Sequence, residues 1–115
     1  MLTVTWIKST SNTWLPLETV DLSDVTVEGV YVIWHAGNPA RTVRVGQGNI
    51  AARLGAHRLD KAILAYAASG TLYVTWAAVS ASQRDGVERF LADQYSPLIG
   101  DRHPSVTPLP VNLVA

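Results

Sequence analysis

Four polar side chains stand at positions that a packed domain does not require to be polar. Tyr31 lies in the middle of the apolar run GVYVIWH at residues 29–35, and Glu88 lies beside the apolar stripe of a predicted helix. Arg53 and His57 are four residues apart, so they share one face of a helix. A guanidinium binds anions through strong, planar donors, and an imidazole exchanges protons near neutral pH. These residue types therefore predict anion binding and proton transfer.

The charge of the chain is unevenly distributed along its length. In total, nine Lys and Arg residues balance nine Asp and Glu residues, which argues against indiscriminate electrostatic binding of nucleic acid. The middle third is nevertheless basic, because its charged side chains are Arg41, Arg44, Arg53, Arg58, Asp60 and Lys61. This stretch is either ordinary surface charge on a turn and a helix or a local anion-binding patch.

Length and composition restrict the class of protein. A chain of 115 residues with 48% hydrophobic and 16% charged residues is expected to form a single domain with a compact core. The absence of cysteine excludes disulfides, zinc–thiolate sites and thiol catalysis. No apolar run reaches the roughly 18–20 residues that cross a bilayer. The first residues also lack the pattern of a signal peptide, so we expect a cytoplasmic protein without a membrane partner.

The hydrophobic pattern predicts the elements that must position these side chains. Strands are predicted at 2–7, 29–35, 41–45 and 72–79, and residues 14–20 are expected to form an edge strand or extended arm. Helices are predicted at 50–58, 61–68 and 83–95, capped by Asn49, Asp60 and Ser82. A single helical turn capped by Asp21 is expected at 21–24. The glycine-containing stretch 46–49 is expected to end one strand and to open the first helix.

The order of these elements predicts an α/β fold. We expect a small, mainly antiparallel three-stranded sheet flanked by helices, with an N-terminal extended arm. The strands at 29–35 and 41–45 are close enough in the chain to form a hairpin. Within the single domain 1–115, residues 1–28 form the arm, 29–103 the core and 104–115 a Pro-rich tail.

Five short motifs follow one another in the core. Gly29–Tyr31 opens a strand, Val45–Gln47 ends the next one, and Arg53 follows in a helix. A later helix carries Glu88 and ends at Tyr95–Pro97. In order and spacing this pattern resembles the GIY-YIG nuclease superfamily over about residues 29–101. The resemblance implies the α/β fold of that superfamily and the activity of a metal-dependent endonuclease, a hydrolase of phosphodiester bonds in nucleic acid.

The resemblance also implies a role for individual residues. Tyr31 matches the tyrosine thought to activate or position the attacking water, and Arg53 matches the arginine that holds the scissile phosphate. Glu88 matches the metal-binding carboxylate, and His57 matches a histidine of some restriction-enzyme members. The residues expected to be catalytic are therefore Tyr31, Arg53, His57 and Glu88, and those expected to bind substrate are Arg44, Gly46 and Arg58. The expected cofactor is Mg²⁺ or Mn²⁺ held by Glu88, and the expected partner is nucleic acid, with DNA favoured over RNA.

Elementary chemistry agrees with these roles. Phosphodiester hydrolysis develops negative charge on the phosphate oxygens, which a guanidinium stabilises. Mg²⁺ is often bound by only one or two carboxylates together with water and substrate oxygens, so Glu88 suffices. A tyrosine has an ordinary pKa near 10 and acts as a base only beside cations such as Arg44 and Arg53. This hypothesis predicts that Tyr31, His57 and the other catalytic residues converge on one groove, with Arg44 on its rim.

Two departures from the superfamily pattern leave the activity open. Arg44 occupies the position at which the second tyrosine is expected, and Gly100 stands near the position of an expected asparagine. One alternative is a catalytically impaired module that binds nucleic acid or phosphate. Another is a protein-interaction domain that shares only the fold. The sequence leaves open the oligomeric state and the specificity for a substrate.

The candidate residues also have structural interpretations. A tyrosine in an apolar strand is often a core residue with a hydrogen-bonded hydroxyl. Glu88 could form a surface salt bridge with Arg84 or Arg89. His35 and His103 have no evident partner in the sequence and are expected to be structural. The tryptophans are expected to belong to the core and its cover, with those of the arm attaching it to the sheet.

Overall fold

A computed structural model describes residues 1–100 and 103–114. These residues form the strands β1 (Leu15–Pro16), β2 (Glu28–His35), β3 (Arg41–Asn49) and β4 (Leu72–Ala78). The helices are α1 (Ile50–His57), α2 (Lys61–Leu64) and α3 (Ala81–Tyr95), and a 3-10 helix at Ala65–Ala68 follows α2. The α/β class and the antiparallel sheet are confirmed, but the sheet has four strands rather than three.

The strand order in the sheet is β1-β4-β2-β3, and every neighbouring pair is antiparallel. The strand missing from the predicted sheet is β1, in which Leu15 pairs with Val74 and Pro16 pairs with Tyr73. This short strand lies at the sheet edge, where a proline without an N–H is tolerated. The expectation of an edge strand within residues 14–20 is therefore confirmed.

The strand predicted at residues 2–7 is wrong. The backbone N–H of Ile7 donates to the carbonyl of Trp76 at 3.0 Å, and Leu2 forms an isolated parallel bridge with Val111. Between these points, both backbone polar groups of Val4 bond to the side chain of Asn112 in the C-terminal tail, at 2.7 and 2.9 Å. An amide side chain thus replaces the continuous ladder that would have made this segment a strand.

Strand β3 is longer than its apolar pattern predicts. It continues from Val45 through two glycines to Asn49, because the antiparallel pairing with β2 runs unbroken from Val32 opposite Val45 to Glu28 opposite Asn49. The expectation that residues 46–49 end the strand is therefore wrong, whereas the first helix does begin directly after this stretch, with Asn49 as its cap. The hairpin is confirmed, and the two strands place Gly46 directly opposite Tyr31.

The helix caps agree with the sequence at two of the three predicted positions. The side chains of Asn49 and Asp60 accept from backbone N–H groups in the first turns of α1 and α2. Helix α3 begins at Ala81 after Ser80, so the prediction of Ser82 as its cap is wrong. The carboxylate of Asp21 accepts from the backbone N–H and hydroxyl of Ser23, and Val25 donates to the carbonyl of Leu22 at 3.1 Å, so a single hydrogen-bonded turn forms there without continuing as a helix.

Both faces of the central strand β2 are buried. Tyr31 and Ile33 belong to a core cluster that includes Ile50 and Leu54 of α1. Val30 and Val32 point to the other face, in the cluster that contains Val87 and Leu91 of α3. The alternation along β2 therefore places α1 and α3 on opposite sides of the sheet, as the period of two in a strand requires.

The first residues of the arm and the tail pack together on the side of α3, whereas Leu17 and Val20 of the arm belong to the core cluster on the side of α1. The indole N–H of Trp6 donates to the carbonyl of Asn112 at 2.9 Å, and the ring of Trp6 packs against the core cluster on that face. Trp14 contacts Trp34 of β2 edge to face, with ring centroids 5.2 Å apart. These contacts confirm that the tryptophans of the arm attach it to the sheet. Within residues 1–100 and 103–114, no helix has both the length and the apolar character to span a bilayer.

Candidate functional site

An irregularity in the β2–β3 pairing directs Arg44 toward Tyr31. Ile33 pairs with Arg44, but the next residue of β2 pairs with Thr42, which leaves Val43 as an extra residue in β3. Such a bulge lets two consecutive residues face the same side of a sheet. Val43 joins the core cluster of Tyr31 and Ile33, and Arg44 lies opposite Ile33 on this same face. The arginine that replaces the expected tyrosine thereby comes close to Tyr31.

Gly46 provides the space that Tyr31 occupies. A Cβ atom at this position would overlap the hydroxyl oxygen of Tyr31, well inside any tolerable contact. The Tyr31 ring therefore lies directly across the backbone of the edge strand, and the residue is 2% exposed. The superfamily pattern predicts that Gly46 binds substrate, and the structure instead places it against the tyrosine.

The hydroxyl of Tyr31 lies 2.5 Å from Nε2 of His57, the last residue of α1. Burial raises the pKa of Tyr31 above its ordinary value, while Arg44, through its side-chain interaction and charge, and Arg53, through its charge, act in the opposite direction. The direction of this hydrogen bond depends on the tautomer of His57: with the imidazole proton on Nδ1, the phenol donates to Nε2. The pair thus forms a path for a proton from Tyr31 to the imidazole.

The imidazole of His57 is uncharged at neutral pH. Burial lowers its pKa to about 4, and the charges of Arg44 and Arg53 act in the same direction, while Asp60 opposes them. His57 is 9% exposed, so little water is available to stabilise an imidazolium. In the neutral tautomer with its proton on Nδ1, Nε2 of His57 carries a lone pair that accepts the Tyr31 proton.

Arg53 lies at the exposed side of this pair. It belongs to α1, one turn before His57, and a Cβ atom at Gly48 would lie 3.1 Å from its Nε. Gly48 has a φ of 124°, a backbone conformation that favours glycine. The guanidinium therefore rests against the backbone of β3 and remains exposed to solvent, where it can meet a phosphate group.

Arg44 adds a second positive charge beside the pair. Its Nε is buried and has no hydrogen-bond partner among the residues that the structure describes. A buried N–H without a partner is costly, and this one is closed to an incoming oxygen atom, so Arg44 acts on the site through its positive charge. Arg44 and Arg53 both lower the pKa of Tyr31 and of His57, which places two cations beside the same pair.

Glu88 lies on α3, which packs against β2 and β3 on the side of the sheet opposite α1. Its charge raises the pKa of Tyr31, but this is the smallest of the causes that act on that pKa. Its Oε2 lies 2.8 Å from Nδ1 of His103. The sequence gives no evident partner for His103, and the structure shows that this partner is Glu88. The spacing of Glu88 and His103 in the sequence does not predict this contact, because His103 lies in the segment that follows the helix.

Two other residues lie away from the group. The guanidinium of Arg58, expected to bind substrate, donates to the carbonyls of Leu17 and Val20 at 3.0 and 2.6 Å and holds the N-terminal segment. The hydroxyl of Tyr95 accepts from the backbone N–H of Val114 in the tail.

The structure brings together most of the side chains that the sequence singles out. Arg58 is not among them. The candidate residues that lie together are Tyr31, Arg44, Gly46, Arg53 and His57, whereas Glu88 lies on α3 and contacts His103.

A metal ion at this position would depend on Glu88. No group of three or more His, Asp or Glu side chains suited to a metal ion occurs within the described parts of the chain. A Mg²⁺ ion needs only one or two carboxylates, because water and substrate oxygens complete its shell. The Oε1 atom of Glu88 has no hydrogen-bond partner among the described residues, whereas Oε2 contacts His103. This donor set fits a Mg²⁺ or Mn²⁺ ion held through Oε1.

Comparison of the chain with models of known families, with curated proteins and with solved structures finds no match. The functional argument therefore depends on the residues and their geometry.

Proposed function

We propose that this protein hydrolyses phosphodiester bonds of nucleic acid as a metal-dependent endonuclease of the GIY-YIG type. One observation carries the proposal: the hydrogen-bonded pair of Tyr31 and His57 lies beside the guanidinium groups of Arg44 and Arg53. A proton acceptor between two cations suits a reaction in which water attacks a negatively charged phosphate. The four residues come from β2, β3 and α1, so the fold assembles them.

The two arginines bind the scissile phosphate in this mechanism. Arg53 is exposed and can donate to a non-bridging oxygen, whereas the Nε of Arg44 is buried, so Arg44 contributes through its charge. Their charges oppose the negative charge that grows on these oxygens in the transition state. They also hold the substrate beside the Tyr31–His57 pair.

Tyr31 and His57 remove the proton from the attacking water. As the water oxygen forms a bond to phosphorus, its proton passes to the Tyr31 oxygen, and the Tyr31 proton passes to Nε2 of His57. The leaving oxygen departs with the electron pair of the broken P–O bond. The bound phosphate offsets the charges of Arg44 and Arg53, which lower the pKa of His57 in the free protein. Substrate binding thereby makes the imidazole a better base.

Glu88 would hold the metal ion through Oε1. A bound Mg²⁺ or Mn²⁺ ion supplies positive charge that stabilises the leaving oxygen. The carboxylate contributes the negative charge that attracts the ion to a region otherwise rich in arginine. Because Glu88 also raises the pKa of Tyr31, neutralising this carboxylate would favour loss of the phenol proton.

A second candidate function is phosphate binding without turnover. Arg44 stands where the superfamily pattern has a tyrosine, and it adds a fixed positive charge beside Arg53 where that pattern has a phenol. A module of this kind would use the same two arginines. It would bind nucleic acid, and metal ions would not lead to cleavage.

The deciding experiment is a cleavage assay on supercoiled plasmid and on labelled single- and double-stranded DNA and RNA. Each substrate is incubated with protein in Mg²⁺, in Mn²⁺ and in EDTA. The nuclease predicts cleavage that requires metal and is lost in Glu88→Gln and Arg53→Ala, but retained in the exposed control Glu18→Gln. Binding without cleavage, reduced in Arg53→Ala, would support the phosphate-binding module. Neither binding nor cleavage would contradict both functions and favour a protein-interaction domain.

A further inference from the structure

We propose that His103 is a positioning residue that holds Glu88 in the orientation that binds the metal ion, an inference that rests on the proposed function. Nδ1 of His103 lies 2.8 Å from Oε2 of Glu88. Both side chains are largely buried, with exposed fractions of 14% and 9%. A contact between two buried groups restricts the rotation of the carboxylate more than an exposed contact would.

The contact leaves a defined part of Glu88 available. An ionised carboxylate has only acceptors, so the hydrogen of the contact lies on Nδ1 of His103. With Oε2 held in this way, Oε1 is the oxygen that remains for a cation. Carboxylates that bind metal ions are commonly held by a hydrogen bond from a second residue, and loss of that residue weakens binding about 10–100-fold.

No arginine of α3 supplies this support. Arg84 donates to the carbonyl of Val79 at 2.9 Å and pairs with Glu28 at 3.5 Å. Arg89 pairs with Asp93 one turn further along the helix. The salt bridges that the sequence suggested for Glu88 are therefore absent from the described structure, where His103 is its hydrogen-bond partner.

The backbone after α3 brings His103 to this position. Leu98 and Ile99 donate to the carbonyls of Thr42 and Val43, at 3.1 and 2.8 Å, so the segment lies along the outer edge of β3. Gly100 follows with a φ of 97°, which favours glycine. A methyl group there would lie 3.7 Å from Nη1 of Arg44 and 3.8 Å from Cε1 of His103, so both side chains approach this glycine.

His103 also occupies the region where the superfamily pattern has an amide. The expected asparagine near position 100 is absent, and the chain has glycine instead. The Nδ1–H group of His103 provides a donor at this end of α3. The side-chain nitrogen of an asparagine at position 103 would occupy nearly the same place, because Nδ2 of asparagine and Nδ1 of histidine are both attached to Cγ.

The experiment measures Mn²⁺ binding by electron paramagnetic resonance of the free ion, without nucleic acid. The variants are His103→Ala, His103→Asn and His103→Gln, with Glu88→Gln as the ligand control. His35→Asn is the matched control, since His35 is a buried histidine that bonds to the backbone of Gly37 instead. We expect His103→Ala and His103→Gln to raise the dissociation constant about tenfold or more, and His103→Asn to restore it within about threefold.

The outcomes separate this inference from the proposed function. If Glu88→Gln loses Mn²⁺ but all three His103 variants bind it like the wild type, His103 has no positioning role and the nuclease proposal stands. If the wild type binds no Mn²⁺, or Glu88→Gln binds it equally well, Glu88 is not the ligand, and the metal site and the inference both fail. Thermal melting identifies any unfolded variant. If His103→Ala is unfolded, the inference is tested by comparing the Mn²⁺ dissociation constants of His103→Asn and His103→Gln.

Discussion

The hydroxyl of Tyr31 and Nε2 of His57 are 2.5 Å apart, although 26 residues separate them in the chain. The contact joins the centre of β2 to the last residue of α1. It exists because Gly46 leaves room for the tyrosine ring across the edge strand. It gives the protein a buried proton donor and acceptor beside two arginines, and each part of this arrangement can be tested separately.

Removal of the Tyr31 hydroxyl should abolish turnover and preserve the fold. In Tyr31→Phe the ring still fills the space at Gly46, but the water no longer has a proton path to His57. We expect the cleavage rate to fall about 10²–10³-fold, with a loss of about 1 kcal/mol in the free energy of unfolding. Plasmid nicking and urea unfolding measure the two effects. Tyr95→Phe, whose hydroxyl contacts the tail, is the control, and equal rates for both variants would contradict the role of Tyr31.

Two glycine substitutions should have opposite effects on stability. In Gly46→Ala the new methyl group collides with the Tyr31 hydroxyl, so we expect a loss of about 1–3 kcal/mol. Gly55 in α1 has open space where a methyl group would be added, with no atom within 4 Å. Gly55→Ala should therefore gain about 0.5–1 kcal/mol from helix propensity. Urea unfolding measures both, and a stable Gly46→Ala protein would show that the tyrosine does not lie across β3.

His57 should make stability depend on pH between about 4 and 6.5. Its pKa is about 4 in the folded protein and 6.5 ordinarily, so the unfolded chain binds the proton more readily in this window. Stability from this residue is complete above pH 6.5 and decreases as the pH falls toward 4, by about 3 kcal/mol.

The measurement is urea unfolding at several pH values for the wild type and His57→Gln. Glutamine keeps an acceptor for the Tyr31 hydroxyl but does not titrate, so the other ionisable groups contribute equally to both proteins. The wild type should lose stability relative to the variant as the pH falls. Parallel pH profiles would show that His57 titrates normally.

Arg53→Ala should weaken nucleic-acid binding without much effect on folding. Arg53 is exposed, so its loss removes one phosphate contact and about one released counterion. We expect the slope of log K against log salt concentration to become shallower by about 0.9 for duplex DNA. Fluorescence anisotropy at several salt concentrations measures this slope. Lys61→Ala removes an exposed charge of the same basic stretch and should leave the slope unchanged if binding occurs at the candidate site.

Arg58→Ala, in contrast to Arg53→Ala, should destabilise the fold and leave nucleic-acid binding unchanged. Its guanidinium holds the carbonyls of Leu17 and Val20, so the variant leaves two acceptors without their partner. We expect a loss of about 2–3 kcal/mol in the free energy of unfolding, with the affinity for nucleic acid unchanged. Chemical unfolding measures the change in stability, and fluorescence anisotropy measures the affinity for nucleic acid. Weaker binding at full stability would mean that Arg58 contacts the substrate after all.

Most of the secondary structure could be predicted from short patterns. The apolar run containing Tyr31, the caps Asn49 and Asp60, and the spacing of Arg53 and His57 all depend on neighbours in the chain, and the structure agrees with each. The predictions are wrong where a distant residue supplies the hydrogen bonds. The amide of Asn112 replaces the ladder of the N-terminal segment, and the pairing with β2 extends β3 through residues 46–49.

The sequence alone determined the α/β class, the residues that can bind an anion or move a proton, and the elements that carry them, because these depend on residue type and local spacing. The tertiary structure decided which of them meet. The bulge at Val43 directs Arg44 to the face of Tyr31. The segment after α3, in which Gly100 has a positive φ, places His103 in contact with Glu88. Such contacts depend on strand register and backbone turns between distant segments, which local patterns do not specify.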